Sequence, residues 1–205
     1  MKIFGGIDLG RITTFGIVSV NDSAKIALVD TMQIDLAVGE PKTVTAGAKS
    51  KIKTGKKRKR KSKTKGEQAQ ILAKRLVKLD DFLDSVLKTW NFTSVAIEVP
   101  PSVRNLDVFQ QLSMLYGLSL SRLEKCSTQI FAYPVPQWRK LVKIDASTPK
   151  GLKQSVRENY VKRTVIGAVN KILGSDFEIK QHDRADAAGV AISAAVAKGM
   201  VEIDD

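Results

Sequence analysis

The chain has 205 residues, of which 43% are hydrophobic, and its 34 basic against 21 acidic residues give a formal net charge of +13. This length is sufficient for one substantial core and favours a single domain. The single cysteine excludes an internal disulfide framework, and no apolar run approaches the roughly 20 residues of a membrane-spanning helix. The N-terminus shows no signal-peptide pattern, so we expect a cytoplasmic, reducing setting.

The positive charge is concentrated in one segment. Lys49 to Lys65 holds 11 of the 34 basic residues and no acidic ones, which leaves 23 basic against 21 acidic residues elsewhere. Because cations that neutralise phosphates release counterions, such a segment is typical of DNA or RNA binding. A localisation signal or a solvated loop are the alternatives. The predicted DNA-binding run, which would act as a nuclear address only in a eukaryotic host, is Lys56, Lys57, Arg58, Lys59, Arg60 and Lys61.

The N-terminal part of the chain is predicted to form a three-stranded meander. Residues 2–9, 15–20 and 25–33 are rich in β-branched and apolar residues and are separated by turn residues. Residues 39–66 contain mainly Gly, Pro, Lys, Ser and Thr without a period. That composition cannot bury a core, so we expect a flexible basic insertion there.

The remainder alternates between helical and extended patterns. Apolar residues at steps of three and four predict helices over Glu67–Trp90 and Asp107–Lys125, and further helices over 150–172 and 183–198. Short strands over 93–99 and 128–133 are each followed by proline. This order predicts one α/β domain over residues 1–205, with a five-stranded mixed sheet flanked by helices.

Four acidic residues occupy positions that these elements would direct toward one pocket. Asp8 and Glu98 end apolar strands, and Asp183 and Asp186 share one face at the start of the last helix. Small residues along that helix would let it pack closely on the sheet and bring its acids near Asp8. Singly, each acid also fits a turn, a strand end or a helix cap.

Buried carboxylates need a neutralising cation, and hard oxygen ligands suit divalent metal ions. A pair of such ions can activate both the attacking and the leaving oxygen of a phosphodiester. The four acids together therefore predict a metal-dependent site for phosphodiester chemistry.

The chain resembles the RuvC-type Holliday junction resolvases of the ribonuclease H-like nuclease superfamily, from Ile3 to about Ala195. Four motifs carry the resemblance: Gly6-Ile7-Asp8-Leu9-Gly10 with Thr13, Thr14, Phe15 and Gly16; Ala96-Ile97-Glu98; Arg139-Lys140 leading to Lys150–Val156; and Asp183-Arg184-Ala185-Asp186-Ala187-Ala188. The resemblance implies a ribonuclease H-like fold. It also implies a homodimeric endonuclease that resolves four-way junctions by paired nicks, with two Mg²⁺ or Mn²⁺ ions in each active site.

The resemblance also implies roles for individual residues. Asp8, Glu98, Asp183 and Asp186 would be catalytic metal ligands, and Lys153 the active-site lysine that stabilises charge on the scissile phosphate. Arg139, Lys140 and Lys150 would contact the DNA backbone. His182, the only histidine, is either a ligand or proton shuttle or a polar neighbour of the helix cap, and we favour the second.

The chain departs from the resolvase pattern after Glu98. Resolvases usually continue into a loop with an aromatic residue that wedges into the junction, but here Val99-Pro100-Pro101 follows and the nearest aromatic is Phe109. With the basic insertion, this indicates a divergent member, of phage or viral type. It also leaves open a nuclease for flaps or other branched DNA.

Two alternatives lie outside the nucleases. One is a non-enzymatic DNA-binding protein that uses only the basic segment. The other is an ATPase of the sugar kinase, actin and chaperone superfamily, whose first phosphate loop resembles Gly6–Gly10. The chain lacks the second phosphate loop and the second domain that those ATPases require.

Overall fold

The computed structural model describes residues 1–37, 64–126 and 128–203. The predicted basic run at 56–61 and most of the predicted insertion at 39–66 lie outside these residues. The strands are β1 Lys2–Asp8, β2 Ile12–Val20, β3 Ile26–Asp35, β4 Ser94–Glu98 and β5 Gln129–Tyr133. The helices are α1 Lys65–Thr89, α2 Leu106–Lys125, α3 Val135–Leu141, α4 Gln154–Leu173 and α5 His182–Ala197, with one 3₁₀ turn at Ile179–Gln181.

The five strands form one mixed sheet in the order β3-β2-β1-β4-β5. The first three strands pair antiparallel as the predicted meander, and β1, β4 and β5 pair parallel. Parallel pairing requires helical crossovers, and α1 and α2 supply them between β3, β4 and β5. The predicted five-stranded mixed sheet is confirmed.

Helices α1 and α2 cover one face of the sheet. A capping box between Thr64 and Glu67 starts α1, and the predicted apolar stripe buries Leu79 and Leu83 fully. These leucines pack with strand residues such as Ile97 in one hydrophobic cluster. Across the two helices, both carboxylate oxygens of Asp80 accept hydrogen bonds from Arg122.

Helix α5 packs on the opposite face, where α3 and α4 flank it. Its buried residues are nearly all small, as predicted, and they lie against two glycines of paired strands, Gly6 and Gly16. A Cβ atom on Gly6 would overlap the α5 backbone at Ala187 and Ala191. The two glycines therefore permit a helix-to-sheet approach that any larger residue would prevent.

Two element starts and one short helix differ most from the sequence prediction. Strand β2 begins at Ile12, because its pairing with β3 extends back to Asp35. Helix α4 begins at Gln154, so Lys150 precedes it and Lys153 is its N-cap. Helix α3 was not predicted, since prolines usually interrupt helices. Here Pro136 lies in the first turn of α3, where no backbone N–H is needed.

In the described part of the chain, no helix is both long and apolar enough to span a membrane.

Candidate active site

The ends of β1 and β4 bring the first two predicted acids together. Ile7 and Ile97 are register partners in the parallel pair, and each directly precedes an acid, Asp8 or Glu98. Side chains alternate along a strand, so Asp8 lies on the same sheet face as Gly6, beneath α5. The same alternation places Glu98 on the face of Ala96, which packs in the α5 cluster.

The first turns of α5 supply the other two acids. Because Ala187 presses on Gly6 and Gly16, the preceding residue Asp186 is held close to the end of β1. The charges of Asp183 and Asp186 both raise the pKa of Asp8, as does the charge of Glu98. The structure thus brings the other three predicted acids within electrostatic reach of Asp8.

Burial is the main influence on the three innermost acids. It raises the pKa of Asp8 well above its usual range, and the neighbouring carboxylates raise it further. Burial is also the main reason why the pKa of Glu98 rises to about 7 and that of Asp186 rises above its usual value. Without a cation, the site therefore disfavours the fully ionised state of these groups.

Asp186 is the acid in this site with a buried carboxylate oxygen that no described group hydrogen-bonds. Its Oδ1 is buried and has no hydrogen bond. The nearest described cation is Arg139, whose Nη2 lies 3.9 Å from that oxygen, too far for a hydrogen bond. The Nε of Arg139 is likewise buried without a hydrogen bond. The predicted DNA contact Arg139 therefore lies against the acidic centre, with its side chain only 21% exposed.

Glu98 has a partner that sequence reasoning did not find. The indole Nε1 of Trp138 on α3 donates a 2.9 Å hydrogen bond to Glu98 Oε2. Trp138 is fully buried, and it lies against Gly189 of α5. The indole hydrogen bond lowers the pKa of Glu98, although burial outweighs it.

The donor set fits divalent cations, because all four acids offer hard carboxylate oxygens and Asp186 Oδ1 lacks a partner. Among the described residues, however, no three His, Cys, Asp or Glu side chains are grouped tightly enough to hold an ion. Like charges repel, so the acids other than Glu98, whose Oε2 is held by Trp138, would have to rotate toward a bound cation.

Asp183 lies at the edge of the site, with its side chain 30% exposed. Its Oδ1 is 3.0 Å from Nε2 of His182, and Nδ1 of His182 lies 3.3 Å from the carbonyl oxygen of Ile179. His182 is the first residue of α5, next to its cap, where the favoured interpretation of the sequence placed it.

The other basic residues that the sequence predicted for the site or for DNA contact lie on the surface. Lys140, Lys150 and Lys153 are exposed. Burial raises the pKa of Asp186, and the charges of Arg139, His182 and Lys162 lower it. Lys162, on α4, is a lysine that sequence reasoning missed, because no local pattern shows which helix residues come near the site.

A polar row beside β1 was also missed. Thr14 is the register partner of Asp8, it is fully buried, and its Oγ1 accepts a 3.0 Å hydrogen bond from Gln33. The Oε1 of Gln33 accepts a 3.1 Å hydrogen bond from Nε of Arg184. This row links β2 and β3 to the first turn of α5, between Asp183 and Asp186.

Comparisons with solved structures identify the fold. RuvC of Thermus thermophilus, both in complex with a Holliday junction substrate and as a separate structure, matches with a TM-score of 0.66 and 17% sequence identity. Each match covers 97% of this chain and 96% of RuvC. The yeast mitochondrial Holliday junction resolvase Ydc2 has a TM-score of 0.49 and 16% identity, over 96% of this chain and 78% of Ydc2. No protein-family model and no curated protein matches the sequence.

The two RuvC matches cover nearly the entire length of both chains. The ribonuclease H-like fold that the sequence predicted is therefore confirmed. At the level of the fold, so is the predicted resemblance to RuvC.

Proposed function

We propose that this protein is a metal-dependent endonuclease that resolves four-way DNA junctions. The observation that carries the proposal is the convergence of Asp8, Glu98 and Asp186 at one end of the sheet, in a chain with the fold of RuvC. Burial of three carboxylates without compensating cations is unfavourable, and a fold gains no stability from such an arrangement. A role in binding cations explains why the chain maintains it.

Each residue of the site would have its own role. Asp8, on the middle strand of the sheet, would ligate most directly, with Glu98 and Asp186 completing the ligand set and Asp183 assisting. Two Mg²⁺ or Mn²⁺ ions bound there would activate water and stabilise the leaving oxygen of the scissile phosphodiester. The close approach of α5 to Gly6 fixes the backbone positions from which Asp8 and Asp186 extend. Lys153 would then add positive charge near the phosphate.

Binding of the junction would use cations beyond the acidic centre. Lys140 and Lys150 are exposed, on α3 and just before α4, and both are free to meet the DNA backbone from those positions. The basic run at 56–61 would extend this contact and make it salt-dependent. Branched DNA is accordingly the proposed partner.

Paired nicks require two active sites, and we propose a homodimer formed through α2. The helix exposes several apolar side chains at its N-terminal half: Leu106 at 78%, Val108 at 42%, Phe109 at 40% and Met114 at 41%. Exposed apolar residues in a cluster favour association. A two-fold axis at α2 would present two identical sites to opposing strands of one junction.

A nuclease for flaps or other branched DNA is the second candidate, and one observation favours it. The segment between Glu98 and α2 contains Val99, Pro100 and Pro101 and no aromatic residue. A resolvase that unstacks the junction centre would need a wedge, and the next aromatic along the chain after this segment is Phe109, inside the first turns of α2. Cleavage of a mobile junction, a fixed junction and a flap under identical conditions separates the two candidates.

The decisive experiment replaces Asp8. We expect Asp8→Asn to abolish Mg²⁺-dependent cleavage of a four-way junction, while binding of the junction in a gel-shift assay persists or tightens. The reason is that the substitution removes a ligand and a charge that repels phosphate. Asp22→Asn, a fully exposed acid at the opposite end of the sheet, is the matched control and should cleave normally. Cleavage by Asp8→Asn at the wild-type rate would refute the assignment of the site.

A further inference from the structure

Helix α3 contributes two consecutive side chains to the acidic centre, one to each of two acids. Trp138 donates to Glu98 Oε2 at 2.9 Å, and Arg139 Nη2 lies 3.9 Å from Asp186 Oδ1. The guanidinium carbon of Arg139 also lies 5.3 Å from the centroid of the Trp138 ring, which restrains the two side chains relative to each other. Neither side chain has a carboxylate oxygen, so neither would be a ligand of the cation.

The position of Trp138 is fixed by the core on three sides. Its ring is fully buried in the cluster between α3, α4 and α5, and a Cβ atom on Gly189 would lie 2.8 Å from its Cζ3. A side chain so confined cannot follow Glu98 if that carboxylate rotates. The hydrogen bond therefore orients Glu98, and one carboxylate oxygen, Oε1, remains free of Trp138 for another partner.

The position of Arg139 is different, because its contacts are incomplete. Its Nε is buried without a hydrogen bond, and so is the Asp186 oxygen that its Nη2 approaches. At 3.9 Å the two groups attract each other electrostatically without forming a hydrogen bond. A guanidinium held in this way supplies a positive charge to the acids and leaves Asp186 Oδ1 available to a closer cation.

We propose that helix α3 controls cation binding at the acidic centre: Trp138 holds Glu98 in a ligating orientation, while Arg139 is a resident counter-charge that competes with divalent cations for Asp186. The proposal rests on the metal site of the proposed function and adds two positioning residues to it. Trp138 and Arg139 would have opposite effects on cation affinity. Loss of Trp138 should weaken cation binding, and loss of Arg139 should strengthen it.

The test measures cation affinity without DNA and without cleavage. Full-length protein is titrated with Mn²⁺ in a calorimeter as wild type, Arg139→Gln, Arg139→Lys and Trp138→Phe. We expect Arg139→Gln to bind roughly threefold more tightly or better, because a competing charge is gone. Arg139→Lys retains the charge and should bind as wild type does. Trp138→Phe should bind about tenfold more weakly or worse, the usual effect of losing a partner that orients a ligand.

A spectroscopic measurement covers the case in which Trp138→Phe fails to fold. The chain has two tryptophans, so Trp90→Phe leaves Trp138 as the only tryptophan, whose emission can be excited selectively at wavelengths that tyrosine does not absorb. Titration of Trp90→Phe with Mn²⁺ should change the emission of Trp138 with the affinity found by calorimetry, since the indole hydrogen bond ends on a ligand. Constant emission during a titration that shows binding by calorimetry would overturn the role of Trp138.

The outcomes separate the two levels of the proposal. If wild type and Asp186→Asn bind Mn²⁺ equally, the metal site of the proposed function is wrong. If they differ but Arg139→Gln binds no more tightly than wild type, the metal site stands and the role of Arg139 is refuted.

Discussion

Glu98→Gln is the substitution that tests the electrostatics of the site most directly. Glutamine has nearly the same shape and keeps an oxygen that can accept the hydrogen bond from Trp138, but it cannot ionise. The change therefore removes the buried charge and preserves the packing. In protein freed of metal with a chelator, Glu98→Gln should change the free energy of unfolding only at pH values at which Glu98 of the wild type is ionised.

The magnitude follows from the pKa. The pKa of Glu98 is raised from an ordinary 4.5 to about 7, chiefly by burial. A group whose pKa is higher in the folded state favours folding while it is protonated, and this contribution is lost as the pH rises through the folded-state pKa. Metal-free wild type should thus lose about 3 kcal/mol of its free energy of unfolding between about pH 4.5 and pH 8 through this group. Glu98→Gln should not show this loss.

Urea unfolding of both proteins in chelator, at pH 5 and at pH 8, measures the effect. We expect Glu98→Gln to be close to wild type at pH 5 and more stable by about 3 kcal/mol at pH 8. Added Mg²⁺ at pH 8 should stabilise wild type more than the variant, because the ion compensates the buried charge. If the variant is less stable than wild type by the same amount at both pH values, the carboxyl is not a destabilising buried charge and the reasoning fails.

Further predictions concern the packing and the basic segment. Gly6→Ala should lower the free energy of unfolding by about 3 kcal/mol or more, measured by urea unfolding, because its Cβ would overlap the α5 backbone at Ala187 and Ala191. Gly117→Ala on α2, where a Cβ meets no atom within 4 Å, is the matched control and should stabilise by about 0.5–1 kcal/mol. Deletion of residues 49–65 should weaken junction binding and flatten its dependence on salt concentration, measured by titrations at several ionic strengths. A salt dependence that does not change would show that this segment contacts no phosphate.

All the strands, the helices other than α3 and the four acids could be predicted from the sequence because they depend on local patterns. Continuous apolar runs mark β1 and β4 up to Asp8 and Glu98, and helical periodicity marks α1 and α2 to within two residues of their observed ends. The small residues of α5 likewise predicted its close approach to the sheet, which Gly6 then makes possible. Each of these signals lies within a few positions along the chain.

The contacts that complete the site were decided by the tertiary structure. Trp138 follows Glu98 by 40 residues, and Arg139 precedes Asp186 by 47. Both lie on a seven-residue helix with a proline in its first turn, too short for any periodicity to reveal. The hydrogen bond to Glu98 exists because α3 packs on α5 beside Gly189, and α5 reaches the sheet because two glycines face it. Periodicity in a sequence reports which side of an element is buried. Which two distant side chains share that buried space is set by how the layers pack.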